Sequence, residues 1–335
     1  MSKIVLSGYY GYKNFGDEAI LSVLVSHLSS LGAEIYVLTG DVEYTKNVYN
    51  NVNSVYRFSI GEVANVIKSS DVLISGGGSL LQDATSLKSI VYYLFIISLG
   101  ILFNKKVIIF AQGIGPINNF FARFMTKLLL KQCYFVTVRD ENSFNLLKSW
   151  DIPSEIVPDP VYSINIENIE KNGNVGIQLR DFKTMNSVLL QKLALFVNSK
   201  FSDRKIEIFS LQNEQDFPVC KSFERILHSV NPNIKTEIVT DNIVEKIKNL
   251  DYFIGMRFHS LLVALKSGAK TCAINYDIKV EQLAKDFNIP MISMNADENF
   301  EEIYSEIQNL NPHDIMQVVN SKKFDWSKFD SFTIN

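Results

Sequence analysis

The residues most capable of chemistry stand at the ends of short apolar runs. The densest group is Gly255-Met256-Arg257-Phe258-His259-Ser260-Leu261-Leu262, directly after the strand-like run Tyr252 to Ile254. Of the four histidines (His27, His228, His259 and His313), only His259 falls at a strand-to-helix junction beside an arginine. Imidazole exchanges protons near neutral pH, so His259 is poised for acid–base work. The other three read as surface or internally satisfied residues. Arg139, in Val138-Arg139-Asp140-Glu141-Asn142-Ser143, either caps locally on Asp140 or offers a guanidinium fork to a carboxylate or phosphate. Arg180 ends Gln178-Leu179-Arg180-Asp181, and Lys279 lies in Asn275-Tyr276-Asp277-Ile278-Lys279 after another strand. Such an arginine-rich set with one histidine suits an anionic small substrate.

Glycine-rich bends complete the inventory. In Gly8-Tyr9-Tyr10-Gly11-Tyr12-Lys13-Asn14-Phe15-Gly16-Asp17-Glu18, Gly11 and Gly16 have the spacing of a phosphate-binding P-loop. Asp17 and Glu18 stand where that loop carries Lys and Ser/Thr, and two carboxylates repel phosphate, so a nucleotide P-loop is excluded. Asp17 reads either as an N-cap or as a carboxylate placed for proton transfer or hydroxyl binding. The run Ser75-Gly76-Gly77-Gly78-Ser79 offers an anion-binding nest, and ligand contact is favoured over a tight turn, which rarely needs three glycines. Ala111-Gln112-Gly113-Ile114-Gly115-Pro116 places a polar Gln112 at a strand end but lacks a dinucleotide fingerprint. No His/Cys spacing suits a metal, and no D-x-D pair is present, so no metal site is expected.

The elements that must position these residues show in the rhythm of the chain. Short Val/Ile-rich runs alternate with longer helical patterns, as in stacked β-α units with buried parallel strands. Strands are expected at 3–7, 34–38, 72–75, 106–111, 135–138 and 155–157, with helices at 17–31, 60–68, 87–103, 120–131 and 141–148. The rhythm breaks over 151–174, where Pro153, Pro158 and Pro160 precede the polar stretch Asn165 to Asn174, the best linker. It restarts with strands at 175–179, 206–210, 236–239, 252–254, 271–274 and 291–293. The expected fold is α/β: two Rossmann-like doubly wound domains facing a cleft, spanning 1–160 and 161–311, with a 312–335 tail packing across them. Phe324, Trp326, Phe329 and Phe332 in that tail need somewhere to pack.

The 335 residues carry 33 basic and 36 acidic side chains, net −3, with 47% hydrophobic. This excludes disorder as the main state and leaves no global field for nucleic acid, so any anion site must be local. Cys133, Cys220 and Cys272 are odd in number and far apart, against a disulfide framework. With no secretion signal at the start, a cytoplasmic location is expected. The uncharged stretch Ile90 to Phe103 is shorter than the roughly 20 residues of a spanning helix and reads as a helix packed under a sheet. The mixed aromatic and cationic run Phe120 to Lys131 reads either as an interfacial helix or as an ordinary amphipathic one.

Taken in order, Gly11 to Leu21, GGGSLLQD, AQGIGP, VRDENS, DPVY (Asp159 to Tyr162), GMRFHSL and YDIKV resemble the polysaccharide pyruvyl transferase family. The likeness is greatest to CsaB-type cell-wall pyruvyltransferases and runs roughly from Ile4 to Lys285. It implies a GT-B-like fold and transfer of pyruvate from phosphoenolpyruvate, without a cofactor, onto a sugar. The acceptor so implied is N-acetylmannosamine in a polyprenyl-diphosphate-linked disaccharide, met at the inner face of the membrane in cell-wall synthesis and S-layer anchoring. The positions that match the family's motifs are Asp17, Arg139, Arg257, His259 and Lys279, and the needs of the reaction point to His259 as the general acid and to Arg139, Arg257 and Lys279 as the grip on phosphoenolpyruvate. Asp17 then binds or deprotonates the acceptor hydroxyl. Arg180, Ser260, Gly76, Gly77, Gly78, Gln112, Gly16 and Glu18 complete the expected substrate contacts. Phe258, where relatives often carry Leu, is a modest departure. Two alternatives stay open: a GT-B glycosyltransferase using a nucleotide-sugar donor, and a non-catalytic sugar- or anion-binding protein.

Overall fold

β-Branched runs too short for helices become buried strands of two parallel sheets in a computed structural model that describes residues 2–84, 86–166, 170–182, 187–294 and 298–333. The chain divides into two compact units, Met1–Ile164 with Lys323–Asn335, and Asn165–Lys322. Glu167, Asn168 and Ile169 of the expected linker lie outside the described residues.

In the first unit the strands are β1 (Lys3–Tyr10), β2 (Glu34–Thr39), β3 (Asn53–Tyr56), β4 (Val72–Ser75), β5 (Gly78–Leu81), β6 (Lys106–Ile114), β7 (Phe135–Val138) and β8 (Glu155–Ile156). Their order is β3-β2-β1-β4-β6-β7-β8, with β5 paired to β6. The second unit holds β9 (Val175–Gln178), β10 (Ile206–Phe209), β11 (Thr236–Val239), β12 (Tyr252–Gly255), β13 (Lys270–Asn275) and β14 (Met291–Ser293), ordered β11-β10-β9-β12-β13-β14. Each is a doubly wound sheet whose connections reverse direction once, between β1 and β4 and between β9 and β12. Ligands of such sheets collect outside the carboxyl ends of the strands at that point.

Burial explains the elements. Val72, Leu73 and Ile74 of β4 are fully covered, as parallel strands flanked by helices must be. The helix Leu87–Leu102 buries Ile90, Tyr93, Leu94, Ile96 and Ile97 under the first sheet. Gly100 permits its close approach, since a Cβ there would lie 2.7 Å from both Leu73 and Val107 side chains. No described helix is long and apolar enough to cross a membrane.

The unit boundary falls after Ile164 rather than at 160 because Asp159 caps the turn Pro160–Ser163, accepting from Val161 N at 3.0 Å, and that turn packs on the helix Phe15–Ser30. The expected tail separates into two parts. The helix Pro312–Ser321 stays with the second unit, where Lys266 Nζ donates to Asn320 at 2.7 Å. Residues 323–333 return to the first unit, where Phe324, Trp326 and Phe329 surround Phe110 and His27 stacks on Trp326 at 3.8 Å while pairing with Asp330. The Phe332 side chain lies outside the described residues.

Candidate active site

In the first unit, β1 runs into the glycine bend and then the helix Phe15–Ser30. Asn14 is its N-cap, accepting from Gly16 N at 3.1 Å, so Asp17 does not cap and sits in the first turn with Glu18. Carboxylates there complement the positive end of the helix. Glu18 accepts from Gly11 N at 2.8 Å through Oε1, while its buried Oε2 has no hydrogen-bond partner among the described residues. Burial outweighs that hydrogen bond and pushes the Glu18 carboxyl up to about 7. Tyr10 lies alongside; burial, with the Asp17 charge next, holds its phenol well above the ordinary value.

The three glycines after β4 each have a packing reason. A Cβ at Gly76 would fall 1.9 Å from the Tyr10 hydroxyl oxygen, one at Gly77 would fall 3.1 Å from Ile20, and one at Gly78 would fall 2.8 Å from Asp17 Oδ1. Gly78 also has φ +98 and opens β5. The run is thus a strand–bend–strand segment fitted beneath Tyr10 and Asp17, and ligand approach is not needed to explain its composition.

Gln112 is fully buried rather than turned to a ligand. Its Nε2 donates to Ser75 Oγ at 2.7 Å and Gly76 O at 2.8 Å, bracing the loop after β4. It follows an irregularity in β6, where Ala111 has φ +45 and donates its N–H to Thr137 Oγ1 at 2.8 Å. A bulge of this kind re-aims a side chain. Arg139 does not cap on Asp140. It pairs with buried Asp159 at 2.8 Å and donates to Ser79 Oγ at 3.1 Å, while Asp140 caps the helix Glu141–Ser149 through Ser143 N.

One residue near this edge escapes sequence reasoning. Arg57, just past β3, is buried with its guanidinium carbon 4.1 Å from the Tyr92 ring centroid, and its Nη1 donates to Gly8 O at 3.3 Å. A lone arginine after a polar edge strand has no spacing signal that could have marked it.

The second unit brings Arg180, Arg257, His259, Ser260 and Lys279 to the carboxyl ends of neighbouring strands β9, β12 and β13. Gln178, fully buried, accepts from Met256 N at 3.0 Å and Arg257 N at 2.7 Å and so fixes the turn into the helix Phe258–Lys266. The Arg257 guanidinium is held twice by Asp216, through Nε at 3.0 Å and Nη2 at 2.8 Å, with Gln212 Oε1 at 3.3 Å. Asp216 is fully buried and also accepts from Leu211 N and Gln212 N. It was invisible in the sequence because it lies 41 positions from Arg257, inside a helix with no motif. Ser260 is fully buried as well, its hydroxyl donating to Arg257 O at 2.8 Å, so it shapes the helix start and does not face a substrate.

His259 is half-buried in the first turn of this helix, edge-on to Phe258 with ring centroids 5.2 Å apart. Arg180 donates from Nη1 to the Tyr276 hydroxyl at 3.1 Å. Lys279 is exposed in the first turn of the helix Ile278–Asp286, capped by Asp277. A helix start beside fixed guanidinium groups can hold a carboxylate or phosphate, and a histidine there can exchange a proton with the bound group. Among the described residues, no three His, Cys, Asp or Glu side chains gather as a metal ion would need.

The fold resembles solved structures at low sequence identity. UDP-GlcNAc 2-epimerase from Methanocaldococcus jannaschii superposes with TM-score 0.64 at 11% identity over 95% of this chain and 98% of that one. The Neisseria meningitidis UDP-GlcNAc 2-epimerase bound to UDP-GlcNAc gives 0.60 at 12% identity over 95% and 94%. Anabaena HepE in complex with UDP and glucose gives 0.59 at 10% identity over 99% and 98%. These likenesses establish a GT-B-like pair of α/β domains and no more. No curated protein sequence matches. The model of the family Polysaccharide pyruvyl transferase matches residues 14–278, a span holding every motif residue named above except Lys279, Val280 and the residues of the glycine bend before Asn14. The chain therefore belongs to the polysaccharide pyruvyl transferase family and is a transferase.

Proposed function

We propose that this transferase moves pyruvate from phosphoenolpyruvate onto two hydroxyls of one sugar, forming a ketal and releasing phosphate. The observation that carries this reading is Arg257, locked by Asp216 at a helix start beside His259, with Arg180 and Lys279 on the same sheet edge. The sugar is N-acetylmannosamine of a polyprenyl-diphosphate-linked disaccharide, a precursor of a cell-wall polysaccharide, met at the inner face of the membrane.

In this reading His259 gives a proton to the methylene carbon of the enol, which becomes the pyruvate methyl group. The central carbon, now electrophilic, gains two C–O bonds from the sugar and loses its bond to phosphate. Two hydroxyl protons leave: one replaces the proton given by His259 and the other departs with phosphate. Arg257 and Lys279, with Arg180 on the same sheet edge, hold the carboxylate and phosphate. Glu18, its carboxyl raised to about 7, is close to half protonated at neutral pH and can offer the first unit's edge a donor to a sugar oxygen.

The test is phosphate release from phosphoenolpyruvate in the presence of an N-acetylmannosaminyl-N-acetylglucosaminyl diphospholipid. Acceptor-dependent release is expected, and turnover by His259→Ala at the wild-type rate contradicts the acid assignment. Thermal stabilisation by UDP-sugars and not by phosphoenolpyruvate would favour a glycosyltransferase instead.

A further inference from the structure

The first unit carries a surface that its fold does not use. On the helix Phe120–Leu130 the buried face is Ala122, Thr126, Leu129 and Leu130. The opposite face leaves Phe120 84%, Phe121 67% and Phe124 54% exposed, with Leu128 beside them. At about 100° per residue these four lie within an arc of about 100° on the helix. The helix Leu87–Leu102 packs against it and shows its own outward row, Val91 and Phe95 among them, one turn apart. Two adjoining helices thus expose a run of large apolar side chains, the kind of surface that marks an interaction site.

Charge identifies the occupant. Neither helix contains an aspartate or glutamate, although the chain as a whole is net −3. Every charge on the pair is cationic: Lys88 on one, Arg123 and Lys127 on the other, with Lys131 at its end. Arg123 and Lys127 lie beside the apolar arc rather than opposite it. A second copy docking by two-fold symmetry would set these cations against one another, and neither helix offers an acid to meet them. A layer of anionic headgroups over hydrocarbon satisfies both the aromatic rings and the cations.

We propose that the outer faces of these two helices dock on a bilayer rich in anionic lipid. This deepens the proposed acceptor reading by giving the enzyme a way to meet a lipid-borne sugar, yet vesicle binding is measurable whether or not that reading holds.

The experiment is co-sedimentation of the full chain with phosphatidylglycerol/phosphatidylcholine vesicles and with phosphatidylcholine alone. Binding to the mixed vesicles is expected, weakened by salt, and at least tenfold weaker to phosphatidylcholine. The triple variant F120S/F121S/F124S and the charge reversal R123E/K127E should each lose about tenfold or more, and V91S/F95S should lose less. Leu195→Ser, which removes an exposed apolar side chain of the second unit, should change nothing. All the substituted side chains are exposed or half-buried, and an unchanged thermal melt verifies the fold. Absent binding, equal binding to both vesicles, or wild-type binding by the triple variant overturns the proposal. So does a solution dimer that the triple variant converts to monomer, which would make the face a subunit interface. Phosphate release with a soluble, lipid-free acceptor separates the two readings: if it proceeds while vesicle binding fails, only the docking proposal falls.

Discussion

The two sheets share one topology and one position for their functional loops, yet the edges they present are opposite in character. At the carboxyl edge of the first, Asp17 and Glu18 sit at a helix start with tyrosines above glycine, and the nearest guanidinium groups are turned to Asp159 or caged by aromatic rings. At the second, the helix start carries Arg257 and His259, with Arg180 and Lys279 beside them. A doubly wound sheet thus supplies a place, and the side chains at the turn decide the charge of what can settle there. Both edges use the same brace: a fully buried glutamine holds the loop of the neighbouring strand, Gln112 by donating to the loop after β4 and Gln178 by accepting from the loop after β12.

The contrast is most exposed at His259. Replacing it by alanine should lower pyruvyl transfer by about 10²–10⁴-fold, the usual contribution of a positioned general acid, with the melting temperature unchanged. Steady-state phosphate release decides this, and a loss matched by unfolding would sink it. Next in size are the anchoring acids. Asp216→Ala leaves a half-buried guanidinium and two backbone N–H groups without their acceptor, and should cost about 3–5 kcal/mol in urea denaturation. Asp159→Ala, in the first unit, should cost less because Asp216 accepts from two backbone N–H groups and two guanidinium nitrogens, Asp159 from Val161 N and Arg139 Nη1. The reverse order would break the parallel drawn between the two pairs.

The glutamine braces should differ for a reason of valence. Gln178→Ala strands two backbone donors, at about 1–3 kcal/mol each, whereas Gln112→Ala strands acceptors that retain a second lone pair and should cost about 1 kcal/mol. Equal losses would mean that the loops relax. A separate effect concerns pH. The Glu18 carboxyl is raised from 4.5 in the unfolded chain to about 7 in the fold, so its contribution is full below pH 4.5 and is lost as pH rises through 7. Glu18→Gln should therefore flatten the decline in stability between pH 4.5 and 7. A variant whose stability still falls over that window places the titration elsewhere.

Much of the scaffold was legible because parallel strands buried on both faces read as uninterrupted apolar runs. β4 and β7 fall where Val/Ile runs predict them. β3 was not legible, since Asn53-Ser54-Val55-Tyr56 is an edge strand with two exposed ends, and β5 was not, since it opens on a glycine that reads as loop. The candidate site was legible as a set of positions at strand ends, but the duties of its residues depend on contacts made across the fold. Gln112 and Ser260 have side chains suited to a ligand and spend them on the backbone. The glycines of 76–78 look like a nest and are instead room for Tyr10, Ile20 and Asp17. Asp216 carries no local signature at all, because its role exists only once Arg257 arrives beside it.

The measurement that bears most directly on the central claim is acceptor-dependent phosphate release from phosphoenolpyruvate, followed by mass spectrometry of the sugar product. The account predicts one phosphate released per acceptor, a product carrying one pyruvylidene group, and near-complete loss of both in His259→Ala and Arg257→Ala. Phosphoenolpyruvate left intact across N-acetylmannosamine-containing acceptors, with glycosyl transfer from a UDP-sugar in its place, would contradict it.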